Sequence, residues 1–389
     1  MTYKNLGVRL PKCRVATGLY SHWDSIIKVN KNILDWITNS SKSKPKDIVL
    51  DSLKEVFYAL NKAIENGDRE FLISESVYKK LNSFFPKRKF RLGGNGNNMG
   101  STLYYLGLDP LVSYPMRPEK LMKRSPNFKV AVGNELGIPR DAIREGDKGY
   151  DHIVFESKEW RCILSWDIMS SQGIFDNDFL KMASNNRFID ILILAYAHLL
   201  LPKYKKRTDV VIDNLKSRRP RVHLEFGLGC EDSMKYAMKK FSEYNCCDSW
   251  GLNEKECMVY LKAKSESKED LKEAALKAVK EYNLKRICVH SKDFTFSVSK
   301  YNIKKELESL STASLVAAAK TFGKFDIKNM RLLHSNGSLI KEKIGGYNFC
   351  LIPNLINPSP KILTGVGDTF SAVQAVKILA TQTSLLKLF

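Results

Sequence analysis

What this chain lacks narrows its class before any motif is read. None of its eight cysteines is spaced C-x-x-C, and the one close pair, Cys246-Cys247, is adjacent, which is poor geometry for a metal or an ordinary bridge. No signal peptide follows Met1, so the expectation is a reduced, cytoplasmic protein with buried thiols. No apolar run is long enough to span a bilayer. The longest, residues 191–201, is broken by His198 and reads as a core helix, and no membrane partner is expected. Zinc-finger, homeodomain and RNP-type signatures are absent, and so are internal repeats and low-complexity tracts. Acidic residues are scarce: 42 Asp+Glu stand against 63 Lys+Arg, a formal charge of +21. That surface suits small anions such as nucleotides and sugar phosphates by long-range steering, and without a reader motif no nucleic acid is expected. The blander reading of the charge is a lysine-rich solvated surface, and homo-oligomerisation is left open.

What is present is enough to fold. The 389 residues are 43% apolar and 10% aromatic, which supports a sizeable core in two domains or in one domain with an insertion. Helical spacing covers residues 25–37, 53–64, 77–84 and 99–106. Short alternating strands follow at 111–114, 128–132 and 152–155, in a stretch rich in charge and proline. Beyond Cys162 strands and helices alternate: strands at 221–226, 258–262, 286–290 and 294–298, helices at 231–244, 271–282, 306–321 and 370–380. Such alternation predicts an α/β fold with a doubly wound, mostly parallel sheet. The charged, short-stranded stretches suggest a small discontinuous lid at 37–87 and 115–164, with the core at 1–36, 88–114 and 165–389.

The strongest local motif is Thr364-Gly365-Val366-Gly367-Asp368, followed at once by a helix. Its glycines permit a tight loop with inward N–H groups, and the helix N-terminus favours anionic oxygens. Phosphoryl transfer needs such an anion hole and a carboxylate to take the hydroxyl proton. On the pentapeptide alone, Asp368 reads equally well as a helix cap. A second glycine-rich turn, Gly93-Gly94-Asn95-Gly96, opens another helix and offers backbone and amide groups to sugar hydroxyls. Asp24 follows an apolar strand, where open α/β sheets bind ligands, although alone it reads as an N-cap. His223-Leu-Glu225 ends a strand and Asn253-Glu-Lys-Glu256 opens a segment further on, two places from which carboxylates can organise Mg²⁺. His223 is expected to be structural, and Glu254 and Lys255 to face solvent.

In this order the elements resemble the ADP-dependent phosphofructokinase/glucokinase family of archaeal-type sugar kinases, within the ribokinase-like superfamily. The resemblance spans most of the chain and includes Asn186-Arg187-Phe188 and Ile287-Cys-Val-His290. It implies a Rossmann-type core with a small α/β lid, and transfer of the β-phosphoryl of ADP to a sugar or sugar-phosphate hydroxyl, leaving AMP. By match, Asp368 is the base and Gly365, Val366 and Gly367 form the anion hole. Glu225 and Glu256 organise Mg²⁺, Asn253 and His290 lie at the nucleotide, and Asp24, Gly93, Gly94 and Asn95 hold the acceptor. A phosphorylated acceptor needs cations. Arg187 is the first choice, with Arg117, Lys120, Lys123 and Arg124 as others. The family's first loop carries Asn-x-Asn-x-Asp, where this chain has Tyr20-x-His22-x-Asp24. Two other readings are an ATP-dependent ribokinase-like sugar or nucleoside kinase and a catalytically silent binding protein.

Overall fold

Residues Ile191–Ala195 are apolar and buried at every position. They form a central strand, not the helix that the run 191–201 suggests, and residues 196–201 lie outside the described part of the chain. A strand covered on both faces shows no alternation, so its sequence looks like that of a buried helix. The computed structural model describes residues 6–386 apart from 48, 68, 87, 150, 158, 167–173, 196–202, 218, 228–230 and 324–331.

In chain order the first half runs β1 (Val15–Gly18), β2 (His22–Lys28), α1 (Lys31–Asn39), β3 (Val49–Leu50), α2 (Leu53–Asn66), β4 (Arg69–Ile73), α3 (Glu75–Phe84), β5 (Lys89–Gly93), α4 (Asn95–Tyr105), β6 (Leu111–Val112), α5 (Glu119–Arg124), β7 (Val130–Val132), β8 (Glu135–Gly137), β9 (Asp151–Glu156) and β10 (Arg161–Ser165). The second half runs α6 (Asn177–Ala183), β11 (Ile191–Ala195), α7 (Tyr204–Leu215), β12 (Arg221–Glu225), α8 (Glu231–Glu243), β13 (Ser249–Asn253), α9 (Glu254–Tyr260), α10 (Lys268–Glu281), β14 (Arg286–His290), β15 (Phe294–Ser299), α11 (Ile303–Lys320), β16 (Leu333–His334), β17 (Ile340–Ile344), β18 (Tyr347–Pro353), β19 (Leu355–Ile356) and α12 (Val366–Leu386).

The main sheet has the order β17-β18-β15-β14-β13-β12-β11-β1-β6. From β14 to β6 every pairing is parallel, and β15, β18 and β17 add an antiparallel edge. The expected α/β class with a mostly parallel sheet therefore holds. All the parallel strands end on one side, where open sheets of this kind bind ligands. One large apolar cluster includes Leu192, Leu224, Trp250 and Val289. Helices α11 and α12 build two further clusters around Leu310, Val316, Val373 and Val376. No helix among the described residues is long and apolar enough to cross a membrane.

A second sheet, β3-β4-β10-β9-β2-β5, is covered by α1, α2 and α3 through its own cluster around Val56, Leu60, Phe155 and Leu164. Its membership differs from the lid boundaries read from sequence. Strands β2 and β5 belong to it, although residues 22–28 and 89–93 fall in the expected core. The segment 25–37 is not one helix: its apolar residues at 26 and 27 finish β2, and the helix begins at Lys31 behind the N-cap Asn30. Residues 111–142 bridge the two sheets. There Tyr114, Phe128 and Val130 pack with Trp23 of the second sheet. Of residues 258–262, read as a strand, 258–260 are the end of α9 and 261–262 follow it, and the strand lies earlier at Ser249–Asn253.

Candidate active site

The strand ends and the two glycine turns meet in one cleft of about 650 Å³. It is lined by Asp24, Gly94, Asn95, Glu225, Asn253, Glu256, His290, Gly365, Val366, Gly367 and Asp368, which are the sequence-read candidates apart from two. Gly93 stands just behind the wall, where a Cβ would meet Asp24 Oδ1 at 2.3 Å, so its missing side chain is what admits that carboxylate. Arg187 is not in the cleft. It is exposed in the turn ahead of β11, at the opposite end of the sheet, and its carbonyl accepts a hydrogen bond from Arg14.

Asp368 lies in the first turn of α12. The amide of Asn95 donates to its Oδ1 at 2.7 Å and that of Asn98 to its Oδ2 at 2.8 Å. Both asparagines come from the first turn of α4, so the two glycine turns are tied to each other through this carboxylate. Gly365 has φ +70°, a conformation that favours glycine. Its carbonyl accepts from Lys320 Nζ at 2.8 Å, and Lys320 also donates to Thr369 Oγ1 at 3.0 Å. Burial brings the Lys320 ammonium down to about 8, against the pull of Asp368 and with the push of Arg91. From the second sheet, Arg91 donates to Thr364 Oγ1 at 2.5 Å and Arg161 to the same oxygen at 2.9 Å. Two arginines thus reach the loop that precedes Asp368. The sequence reading missed them because Thr364 lies 273 and 203 residues away from Arg91 and Arg161 in the chain.

At the ends of β12 and β14 a second set of groups gathers. Glu225 Oε1 lies 2.9 Å from His290 Nε2, and its Oε2 lies 3.3 Å from His223 Nε2. Burial works to raise Glu225, but hydrogen bonds from the two imidazoles hold it at about 2. A Cβ at Gly251, opposite Glu225 in register, would stand 1.9 Å from Glu225 Oε2, so the neighbouring strand is hollowed to take the side chain. His223 is fully buried, with Ser249 on Nδ1 and Gln374 beside Nε2, and is structural as expected. His290 is lowered by burial but raised more by Glu225, to about 9. It packs beside the anion-hole turn, since a Cβ on Gly367 would lie 3.4 Å from its Cε1.

The Asn253-x-x-Glu256 motif has a local role that spacing alone does not reveal. Asn253 caps α9 by accepting from the Glu256 N–H at 2.8 Å, and the Glu256 carboxylate closes a capping box on the Asn253 N–H at 2.8 Å. Burial, then Glu225, push the Glu256 carboxyl up to about 8. Glu254 and Lys255 line the cleft half-buried and do not simply face solvent. Two buried carboxylates that repel one another are hard-oxygen donors that a divalent cation would satisfy, so the pair fits Mg²⁺. Because both Glu225 oxygens already meet imidazoles, contact through the ion's water shell fits better than direct ligation.

The cations expected on the lid do other work. Arg117 is fully buried, paired with Asp176 at 3.0 Å, and bonded to the carbonyls of Tyr114 and Ala131. Lys120 lies over Phe90 at 3.8 Å, Arg124 over Trp23 at 5.6 Å, and Lys123 pairs with Glu119. The arginines that do line the cleft are Arg69 on β4 and Arg161 on β10, whose neighbour Cys162 pairs with Arg69 in register. On the other side, Ala317, Ala318, Leu355, Ile356 and Leu363 form an apolar wall.

Residues 13–377 match the model of the ADP-specific phosphofructokinase/glucokinase conserved region. A curated relative, an ADP-dependent glucose/glucosamine kinase from Pyrococcus furiosus, is 28% identical over 270 residues, 59% of this chain and 59% of that protein's length. Among solved structures, an ADP-dependent kinase in complex with fructose-6-phosphate and ADPβS aligns with a TM-score of 0.77 at 17% identity, over 94% of this chain and 93% of that one. A hypothetical ADP-dependent phosphofructokinase from Pyrococcus horikoshii OT3 aligns with a TM-score of 0.73 at 16% identity, over 98% and 100%. At such identities the structural likeness concerns the fold.

Proposed function

Because this chain belongs to the ADP-specific phosphofructokinase/glucokinase family, we propose that it transfers the β-phosphoryl of ADP to a hydroxyl of a sugar or sugar phosphate and releases AMP. The observation that carries this reading is the setting of Asp368. Its carboxylate is held on both oxygens by amides of α4, directly after the anion-hole glycines and in one cleft with Asp24. An acceptor hydroxyl beside Asp368 would give up its proton to that carboxylate as its oxygen bonds to phosphorus and the bond to AMP breaks. The N–H groups at the start of α12 face charge that grows on the moving phosphoryl, and Arg91 and Arg161 add positive charge around Thr364.

The apolar wall of α11 and β19 suits an adenine ring, with the phosphates directed toward Gly365–Gly367. Mg²⁺, organised by Glu225 and Glu256, would neutralise phosphate charge. Asp24, Gly94 and Asn95 are placed to hold the acceptor. For an acceptor that carries a phosphate, Arg69 and Arg161 line the cleft and would take the place given to Arg187. An unpaired buried dianion is prohibitive, so such an acceptor needs them. A coupled assay for AMP release, run with ADP and ATP against fructose 6-phosphate, ribose 1-phosphate, glucose and a nucleoside, tests the proposal. AMP formed only with ADP and one sugar-class acceptor is expected. Product formed only from ATP, or none with any pair, overturns it.

A further inference from the structure

One cluster in the cleft joins Asp24 to two imidazoles that the proposed phosphoryl transfer does not use. His22 and Asp24 are two residues apart on β2, so their side chains share one face of the second sheet. His152 on β9 is the direct cross-strand partner of Asp24. All three are buried to within 5% exposure, and all three line the cleft. One nitrogen from each imidazole and one carboxylate oxygen lie within 4.8 Å of one another. His22 Nε2 is 3.2 Å from Asp24 Oδ1, and the two imidazole rings are 3.7 Å apart.

We propose that His22, Asp24 and His152 form a site for a divalent d-block cation of the Zn²⁺ class, separate from the Mg²⁺ pair at Glu225 and Glu256. Two imidazoles and one carboxylate are a borderline ligand set that prefers such ions to Mg²⁺. Metal–ligand bonds of about 2.0–2.1 Å place tetrahedral ligand atoms roughly 3.4 Å apart, so an ion bound here draws the ligand atoms together and turns the two imidazole rings, now 3.7 Å apart at their centroids, away from one another. Three protein ligands leave a position open toward the cleft. The second Asp24 oxygen lies 3.5 Å from Arg91 Nε, a positive charge that weakens the site without filling it. A metal held here takes Asp24 from the acceptor. Where Asp24 binds the acceptor, as the proposed function has it, the metal competes with that substrate and not with ADP.

The test is metal binding by the full chain, with neither ADP nor acceptor present, so it reads out whether or not the kinase assignment holds. Chelator-treated protein in millimolar Mg²⁺ is titrated with Zn²⁺ by calorimetry, for the wild type, His22→Asn, His152→Gln, the double variant and a Glu225→Gln control. The wild type and Glu225→Gln should share one equivalent that weakens by about 10–100-fold or more in each single variant and vanishes in the double. Melting curves without metal establish that the variants fold. A second readout needs no variant: Co²⁺ bound here should show d–d bands without a thiolate charge-transfer band, because no cysteine is in the cluster. Equal binding by the wild type and the double variant, loss of the equivalent in Glu225→Gln, or a thiolate band in the Co²⁺ spectrum would each overturn the proposal and leave the cluster as a hydrogen-bonding array.

Discussion

Asp368→Asn is the sharpest perturbation the cleft allows. The replacement keeps the shape of the side chain and removes its ability to take a proton. Loss of a general base costs about 10²–10⁴-fold in rate, or roughly 3–5 kcal/mol at about 1.36 kcal/mol per decade. The structure adds a second, separable effect. Both carboxylate oxygens now accept from amides, Asn95 at 2.7 Å and Asn98 at 2.8 Å. A new amide at position 368 sets an NH₂ against one of those donors, and leaving a donor unsatisfied costs about 1–3 kcal/mol where it is buried. Asp368 is only partly buried, so the lower end applies and the fold should survive. The expected result is a kcat reduced by about 10²–10⁴-fold at saturating substrates, with ADP affinity by calorimetry changed by less than about fivefold. A variant keeping more than about a tenth of wild-type kcat, or one whose whole loss appears in KM, would refute the assignment of Asp368 as base.

Glu225→Gln and Glu256→Gln should each raise severalfold the Mg²⁺ concentration for half-maximal rate, and an unchanged Mg²⁺ dependence in both would make these carboxylates structural. The raised Glu256 also predicts a pH effect. Between its usual value of 4.5 and its folded value of about 8 the folded state holds a proton that the unfolded chain has lost, so stability falls as pH rises through that window. Melting curves in chelator from pH 5 to 9 should show a slope that is shallower in Glu256→Gln. Gly251→Ala puts a Cβ 1.9 Å from Glu225 Oε2. It should lower stability by about 1–3 kcal/mol in denaturant melts and also raise the Mg²⁺ concentration for half-maximal rate, because strain and displacement act on one carboxylate.

The sequence-read residues that meet in the cleft are those whose proposed role is also a local rule. Gly365-Val366-Gly367-Asp368 starts a helix, and the same N–H groups that need a cap can bind an anion. Asn253 and Glu256 close a capping box, which is why that spacing recurs beside a carboxylate in the cleft. His223-Leu-Glu225 ends a strand, where alternation sends Glu225 and His223 to one face. In each case the signal lies within a few residues of the effect. What pattern misses depends on pairing between distant segments. His152 reaches Asp24 only because β9 lies beside β2, and Arg161 reaches Thr364 only because the second sheet folds over the glycine loop. Nothing in either local sequence records those neighbours.

Arg187 fails for a complementary reason. Its surroundings resemble the family's, yet resemblance carries no direction along a strand. Arg187 precedes β11 and so lies at the end of the sheet opposite the strand ends, such as Glu225 and His290, that line the cleft. The same geometry accounts for Arg117. Its position among charged residues suggests a solvated lid cation, but Asp176 and two backbone carbonyls hold it at the joint between the bridging segment and α6. Of the cations that line the cleft, Arg69 and Arg161 come from the paired strands β4 and β10 of the second sheet, and Lys255 and Lys292 from the main-sheet side. The amides that hold Asp368 come from α4, and the proposed Mg²⁺ carboxylates from β12 and α9. Arg161 of the second sheet reaches Thr364 beside the proposed base, and Asn95 of α4 both holds Asp368 and faces the proposed acceptor site, so the two proposed roles share residues where the sheets meet, and a change at Arg161 should act on both.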